Sequence, residues 1–301
     1  MKKILIIALI LLFGCEKSVD EQIVITGSET MHTMMSAVAN EFMKRTPGYK
    51  VDVRGGGSLQ GIRSLLENKT DIAVSSKELS DDELQRLEFN KKQLEVTVIA
   101  YDGIAIIVNK NNKADKIDLM QLADVYAGKI KNWKELGGSN AAVEVVVRND
   151  NSGTSAFFKT YVLRKKYLGD AVYEKHKNQE YVTSAKIVSD NNELAEYIKK
   201  HPGAIGYMGM GSAVVEHGGE LKVLKFSRTA SGPFVSPTPE SVFKREYKLN
   251  RALYMIYKPD QGLKVDRFAT FVLSKDGQNV ILKSGYLKSA LKQIEVKGTI
   301  E

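Results

Sequence analysis

Ile23-Val24-Ile25-Thr26-Gly27-Ser28-Glu29-Thr30-Met31, with Met34, Met35, Val38 and Phe42 following at helical spacing, is a short β run that passes through a small, hydroxyl-rich loop into an amphipathic helix. The methionine stripe is a core face, and Pro47-Gly48 ends the helix. The pattern then repeats. Val51 and Val53 lead into Gly55-Gly56-Gly57-Ser58, and Leu59, Ile62, Leu65 and Leu66 mark a second helix. Asp71 to Ser75 reads as a buried strand, and Ser80-Asp81-Asp82-Glu83 as a capping box opening a third helix. Strands alternating with helices predict an α/β fold with largely parallel sheets.

The rest of the chain keeps this alternation. Val96 to Ile99 and Gly103 to Val108 form a long β-rich passage interrupted by Tyr101-Asp102. A helix is expected over Leu119 to Tyr126, a strand over Val143 to Val147, and a helix starting near Ser152. Another helix spans Glu193 to Lys200 and stops at His201-Pro202-Gly203, followed by a strand from Ala204 to Tyr207. Phe234 to Pro239 is loop-like, Leu253 to Tyr257 strand-like, and the last helix is expected over Val265 to Leu273.

Composition narrows the function. The 301 residues are 43% hydrophobic and 27% charged, too apolar for a disordered chain. The single cysteine, Cys15, excludes a disulfide scaffold and a Cys-based zinc site. Four histidines, none paired at ligand spacing, leave no expectation of a metal or other cofactor. The net charge of +8 is spread along the chain without basic runs interleaved with aromatics, so no nucleic-acid partner is expected.

Lys2-Lys3, the apolar run Ile4 to Phe13 and Gly14-Cys15 read as a signal peptide over residues 1–14, too short to span a bilayer. Leu12-Phe13-Gly14-Cys15 resembles a bacterial lipoprotein box, with Phe13 bulkier than usual. A lipidated Cys15 would hold the protein at a membrane through a tether over residues 15–22. Removal of Lys2 and Lys3 with the signal peptide lowers the charge to +6.

Small, hydroxyl-rich loops sit three times between a strand and a helix: Gly27 to Met31, Gly55 to Ser58, and Arg148-Asn149-Asp150-Asn151-Ser152-Gly153-Thr154-Ser155. Such loops place backbone N–H groups and positive helix ends at the C-terminal edge of a sheet, where open α/β folds bind ligands. Each residue is also an ordinary N-cap type, so any one loop has a purely local explanation. Together they describe an oxyanion site of neutral dipoles with Arg148 as the fixed cation. Nucleotide motifs fail: Gly56 and Gly61 have P-loop spacing, but Ile62-Arg63 stands where Lys-Ser/Thr is required.

With these loops, Asp71-Ile72-Ala73-Val74-Ser75-Ser76, Tyr101-Asp102-Gly103-Ile104-Ala105, Gly128-Lys129-Ile130-Lys131-Asn132-Trp133 and Gly203-Ala204-Ile205-Gly206-Tyr207, the chain from about Ile23 onward resembles the phosphate-binding lipoproteins of bacterial phosphate-specific ABC importers, type II periplasmic binding proteins. The resemblance implies two α/β lobes joined by two crossing hinge strands, near Asp102 to Val108 and Arg251 to Tyr257. Residues 23–103 with 251–301 would form lobe I, and 104–250 lobe II. It further implies phosphate contacts from Thr30, the Met31 amide and Ser58 of one lobe, and from Arg148, Ser152, the Gly153 amide and Thr154 of the other. Gly128 to Trp133 reads as structural. The implied partners are inorganic phosphate and ABC permease subunits, with a monomer expected outside the cytoplasm.

One position departs from the family. The strand ending at Ser76 carries, in well-known members, an aspartate that accepts the proton of the bound phosphate; here it is Ser76. A hydroxyl donates as readily as it accepts and discriminates phosphate from sulfate poorly. Asp102 either supplies the missing carboxylate or braces the hinge. Three rivals stay open: a receptor for another oxyanion such as sulfate, a serine hydrolase using Ser58 or Ser152, and an adhesin on a transporter fold.

Overall fold

The computed structural model describes residues 21–79, 94–259 and 261–289. The signal-peptide and Cys15 expectations, and the helix expected to open at Ser80, lie outside the described residues. The strands are β1 (Glu21–Gly27), β2 (Tyr49–Gly56), β3 (Ile72–Ser75), β4 (Glu95–Asn109), β5 (Lys116–Asp118), β6 (Glu144–Arg148), β7 (Lys186–Val188), β8 (Ala204–Gly209), β9 (Leu221–Ser227), β10 (Asn250–Tyr257) and β11 (Leu287–Lys288). The helices are α1 (Glu29–Arg45), α2 (Ser58–Leu66), α3 (Leu119–Tyr126), α4 (Gly153–Phe158), α5 (Asp170–His176), α6 (Asn191–Lys200), α7 (Pro239–Phe243), α8 (Leu263–Leu273) and α9 (Lys275–Lys283). β1 starts at Glu21, inside the segment expected as tether. Among the described residues, no helix is long and apolar enough to cross a membrane.

The strands run in the order β2-β1-β3-β10-β4-β8-β6-β7. The expectation of largely parallel sheets needs correction. Every pairing of named strands that involves β4 or β10 is antiparallel, and every pairing that avoids both is parallel. Parallel β-helix-β units build the two ends, and the strands that return across the middle reverse direction.

β4 is one 15-residue strand, not the two expected around Tyr101-Asp102. Through Gly103 it pairs with β10, and from Ile104 it pairs with β8 and β9. The chain returns just before β10, where the Ile104 amide donates to the Leu249 carbonyl at 2.8 Å. β10 itself pairs with β3 and β4 on the first side.

Side chains alternate across each sheet and feed a core on either face. On the first side, Met31, Met34, Met35, Val38 and Phe42 of α1 pack with Phe268 and Val272 of α8 on Ile25, Val74 and Met255. Ile62 and Leu65 of α2 cover the opposite face over Ala73 and Ile256. On the second side Ile104, Ile106 and Val108 face α3, Phe158 and Trp133, while Ala105 and Ile107 face Leu194 and Ile198 of α6. Trp133 is buried and its Nε1–H donates to the Gly203 carbonyl at 2.9 Å, in keeping with a structural reading of Gly128 to Trp133. Val265 to Leu273 is not the last helix: Ser274 caps a further one, α9, accepting from the Gly277 amide at 3.2 Å.

Candidate functional site

Strand-to-helix turns from both sides meet at the β4 changeover. Ser28 precedes α1 and its amide donates to the Val74 carbonyl at 2.9 Å, while the Gly57 amide donates to the Gly27 carbonyl at 2.9 Å. These bonds bring the starts of α1 and α2 together at the end of β3. Gly27 and Gly57 carry φ of 151° and 95°, and the Gly57 conformation lies in the region that glycine tolerates best. From the second side, Arg148 ends β6, and Ser152 caps α4 by accepting from the Ser155 amide at 3.2 Å.

The two sides touch through these turns. Thr30 Oγ1 lies 2.9 Å from Thr154 Oγ1, and the Leu59 amide donates to the Asn151 carbonyl at 3.4 Å. The Ser76 amide donates to Ser58 Oγ at 3.1 Å, and the two serine hydroxyls lie 3.3 Å apart. Gly153 fits directly against this serine pair: an added Cβ would overlap Ser58 Oγ and lie 2.6 Å from Ser76 Oγ. Thr30, Met31, Ser58, Ser76, Asp102, Arg148, Ser152 and Thr154 are all buried.

Arg148 is 3% exposed, and its NH1 and NH2 donate to Asn191 Oδ1 at 2.6 Å and the Ser189 carbonyl at 2.8 Å. Its buried Nε–H has no partner among the described residues. Burial lowers the pKa of this guanidinium, with Glu29 the leading charge that opposes the shift, and an arginine stays protonated through such a change. Behind it, Tyr207 OH donates to Ser155 Oγ at 3.1 Å, and Ser155 Oγ to the Arg148 carbonyl at 3.1 Å. A cavity of about 450 Å³ opens beside Ser189 and Asn191, with Glu29, His32, Asp190 and Glu216 on its wall.

Asp102 sits on β4 at the changeover, fully buried. Its Oδ1 accepts from the Met210 amide at 3.0 Å and its Oδ2 from Arg251 NH2 at 3.1 Å. Burial pushes its carboxyl up from the ordinary carboxylate range, and Arg251 with the Met210 and Gly211 amides pulls it back. Arg251 enters the sequence reading only as the start of a crossing segment. The structure makes it a second buried guanidinium beside the loops, donating also to the Ser76 carbonyl at 3.0 Å and to Thr30 Oγ1 at 3.3 Å. Its signal was its phase in β10, two residues before Leu253 and four before Met255, which marks a charge on a buried face. Ser189 and Asn191 left no comparable signal, because only the fold brings them to Arg148.

Two α/β lobes meeting through buried hydroxyls, helix-start amides and an arginine whose Nε–H has no partner among the described residues define a two-lobed solute-binding protein. The PBP superfamily domain matches residues 16–276, and the chain belongs to that superfamily. The phosphate-binding protein PstS of Borreliella burgdorferi is 28% identical over 295 residues, covering 95% of this chain and 99% of that protein. A structure from Clostridium perfringens, described as a phosphate ABC transporter substrate-binding protein with bound phosphate, is 30% identical with a TM-score of 0.77, covering 89% of this chain and all of that one. An ABC-type phosphate transport receptor from Vibrio cholerae is 26% identical with a TM-score of 0.68, covering 89% of this chain and 100% of that one. These are the phosphate-importer binding proteins that the sequence resembles.

Proposed function

We propose that the chain is an extracytoplasmic receptor that captures inorganic phosphate between its lobes and delivers it to an ABC permease. The observation that carries this reading is the meeting of Thr30 and Ser58 from one lobe with Thr154 and Gly153 from the other, beside buried Arg148. The named functions of the relatives support it. The lobes divide as residues 23–103 with 251–301, and 104–250. Donors come from Thr30, the Met31 amide, Ser58, Ser76, Arg148, Ser152, the Gly153 amide and Thr154. An anion that bridges both lobes favours their closed arrangement, because it collects its full set of contacts only there.

Binding involves no covalent step. Ser58 Oγ is engaged by the Ser76 amide and hydroxyl, and Ser152 Oγ by the Ser155 amide, and neither is hydrogen-bonded to a His, Lys, Asp or Glu side chain among the described residues. Asp102 supplies the acceptor that Ser76 cannot: an ionised carboxylate accepts the proton of phosphate and repels sulfate. Titration calorimetry of the purified protein, stripped of carried-over anion, tests this. Phosphate is expected to bind with a Kd of about 1 μM or below, untouched by excess sulfate. Asp102→Asn is expected to lose at least about tenfold of that preference. Sulfate binding as tight as phosphate in the parent would identify a general oxyanion receptor, and no binding of either would end the transport reading.

Cys15 carries the lipid that anchors the receptor at the membrane, and the receptor acts as a monomer. Cys15→Ala is expected to move the protein from the membrane fraction to the medium or periplasmic fraction of expressing cells. Retention at the membrane would refute the anchor.

A further inference from the structure

Arg251 touches two of the groups assigned to the anion site and the acceptor itself. Its guanidinium only donates. NH1 reaches the Ser76 carbonyl at 3.0 Å, and NH2 is shared between Thr30 Oγ1 at 3.3 Å and Asp102 Oδ2 at 3.1 Å. The Arg251 and Asp102 side chains are 1% and 0% exposed, so water does not screen the pair. We infer that Arg251 is a positioning residue that sets the polarity of the anion site, fixing the Thr30 hydroxyl as a donor and Asp102 as an acceptor. The inference rests on the phosphate reading above and deepens it.

A hydroxyl has one proton, and a Thr30 oxygen that accepts from Arg251 must direct that proton elsewhere. Its other side-chain neighbour is Thr154 Oγ1 of the opposite lobe, at a distance where either hydroxyl can donate, so the proton that Arg251 does not face is available to an oxyanion held between the lobes. Asp102 poses the opposite problem. It helps a protonated oxyanion only while ionised, because a protonated carboxyl becomes a donor and suits sulfate instead.

Burial pushes the Asp102 carboxyl upward, and Arg251, 3.1 Å from Oδ2, is the cation that pulls it back toward the ionised form. The other titratable groups facing Asp102 are Tyr247 and Tyr286, whose phenols burial pushes well above their ordinary range. Arg148, Tyr167 and Tyr286 are the further groups that face Arg251. Arg251 Nε–H is buried with no partner among the described residues, so the two outer nitrogens make every hydrogen bond. A single ammonium cannot reproduce that fork.

The test measures phosphate and sulfate affinity of the full chain from about pH 6 to 8, for Arg251→Lys, Arg251→Gln and the double variant Arg251→Gln with Asp102→Asn, each read as a ratio to the parent at the same pH. Arg251→Gln is expected to weaken phosphate about 100-fold and to cut the phosphate-over-sulfate preference at least about tenfold. The loss should be larger at the acid end, where the unsupported Asp102 takes up a proton. Arg251→Lys keeps the charge and is expected to lose about tenfold in affinity while keeping preference and pH profile.

If Arg251→Gln fails to fold, the double variant, which lacks the stranded carboxylate, is compared with Asp102→Asn alone: the two are expected to share one preference and a flat pH profile, and a further loss of preference in the double variant would overturn the role given to Arg251. Preference retained in a folded Gln-containing variant, or an Arg251→Gln loss equal for both anions and flat with pH, would overturn the inference and leave Arg251 a structural residue. A parent that binds no phosphate fails the phosphate reading itself, whereas a binding parent with unaffected variants fails only the role given to Arg251.

Discussion

At the scale of single residues, Gly153 is a position where an added methyl group would meet side chains of the opposite lobe. Its missing side chain lets the start of α4 lie against Ser58 and Ser76. The obstruction created by Gly153→Ala falls between lobes and not within one. Each lobe should therefore fold as before while closure is held open. We expect phosphate affinity to drop about 100-fold, with a thermal midpoint of the anion-free protein changed by no more than about 2 °C. Calorimetric titration and scanning calorimetry check the two halves of this prediction. Unchanged affinity would mean that the lobes close on phosphate without this contact. In the proposed site, Ser76 and Asp102 would divide one task between two residues, the hydroxyl at the strand end and the carboxylate on the crossing strand.

At the scale of elements, what the sequence revealed depended on length and phase. α1 and α2 were readable because each shows a full apolar stripe, and β3 because four consecutive residues are buried. β5, β7 and β11 span only two or three residues, too few for a period of two to be visible. β4 read as broken because a carboxylate inside an apolar strand normally signals an exit to solvent. The partners that make Asp102 tolerable there, Arg251 and the Met210 amide, are 149 and 108 residues away in sequence. The three loops of the candidate site were legible because the same glycine- and hydroxyl-rich pattern recurs three times between a strand and a helix, although any one of them reads as an ordinary N-cap. Arg251 was legible only through its phase with Leu253 and Met255. The hold of Asn191 and Ser189 on Arg148 was not legible at all.

At the scale of the whole molecule, buried phenols are expected to make stability fall at alkaline pH. Tyr126, Tyr181, Tyr247 and Tyr286 are pushed well above the ordinary tyrosine range by burial. Their folded pKa values exceed the unfolded value near 10, so above that pH the unfolded chain releases protons that the folded chain retains. Stability is therefore full below about pH 10 and falls as pH rises beyond it. Urea midpoints measured at about pH 8 and 11 should differ, with the lower one at the alkaline end; equal midpoints would show that these phenols do not control unfolding. The continuous β4 strand carries a different kind of consequence, one for descent. Both lobes share its single backbone, and from Ile104 to Val108 neighbouring residues face opposite cores. A codon lost or gained between Tyr101 and Ile104 would turn one lobe's inner face outward while leaving the other intact. Between those two residues the chain is free to exchange letters and not to change their count, whereas farther back one extra residue is already absorbed as a bulge opposite Leu253 and Tyr254.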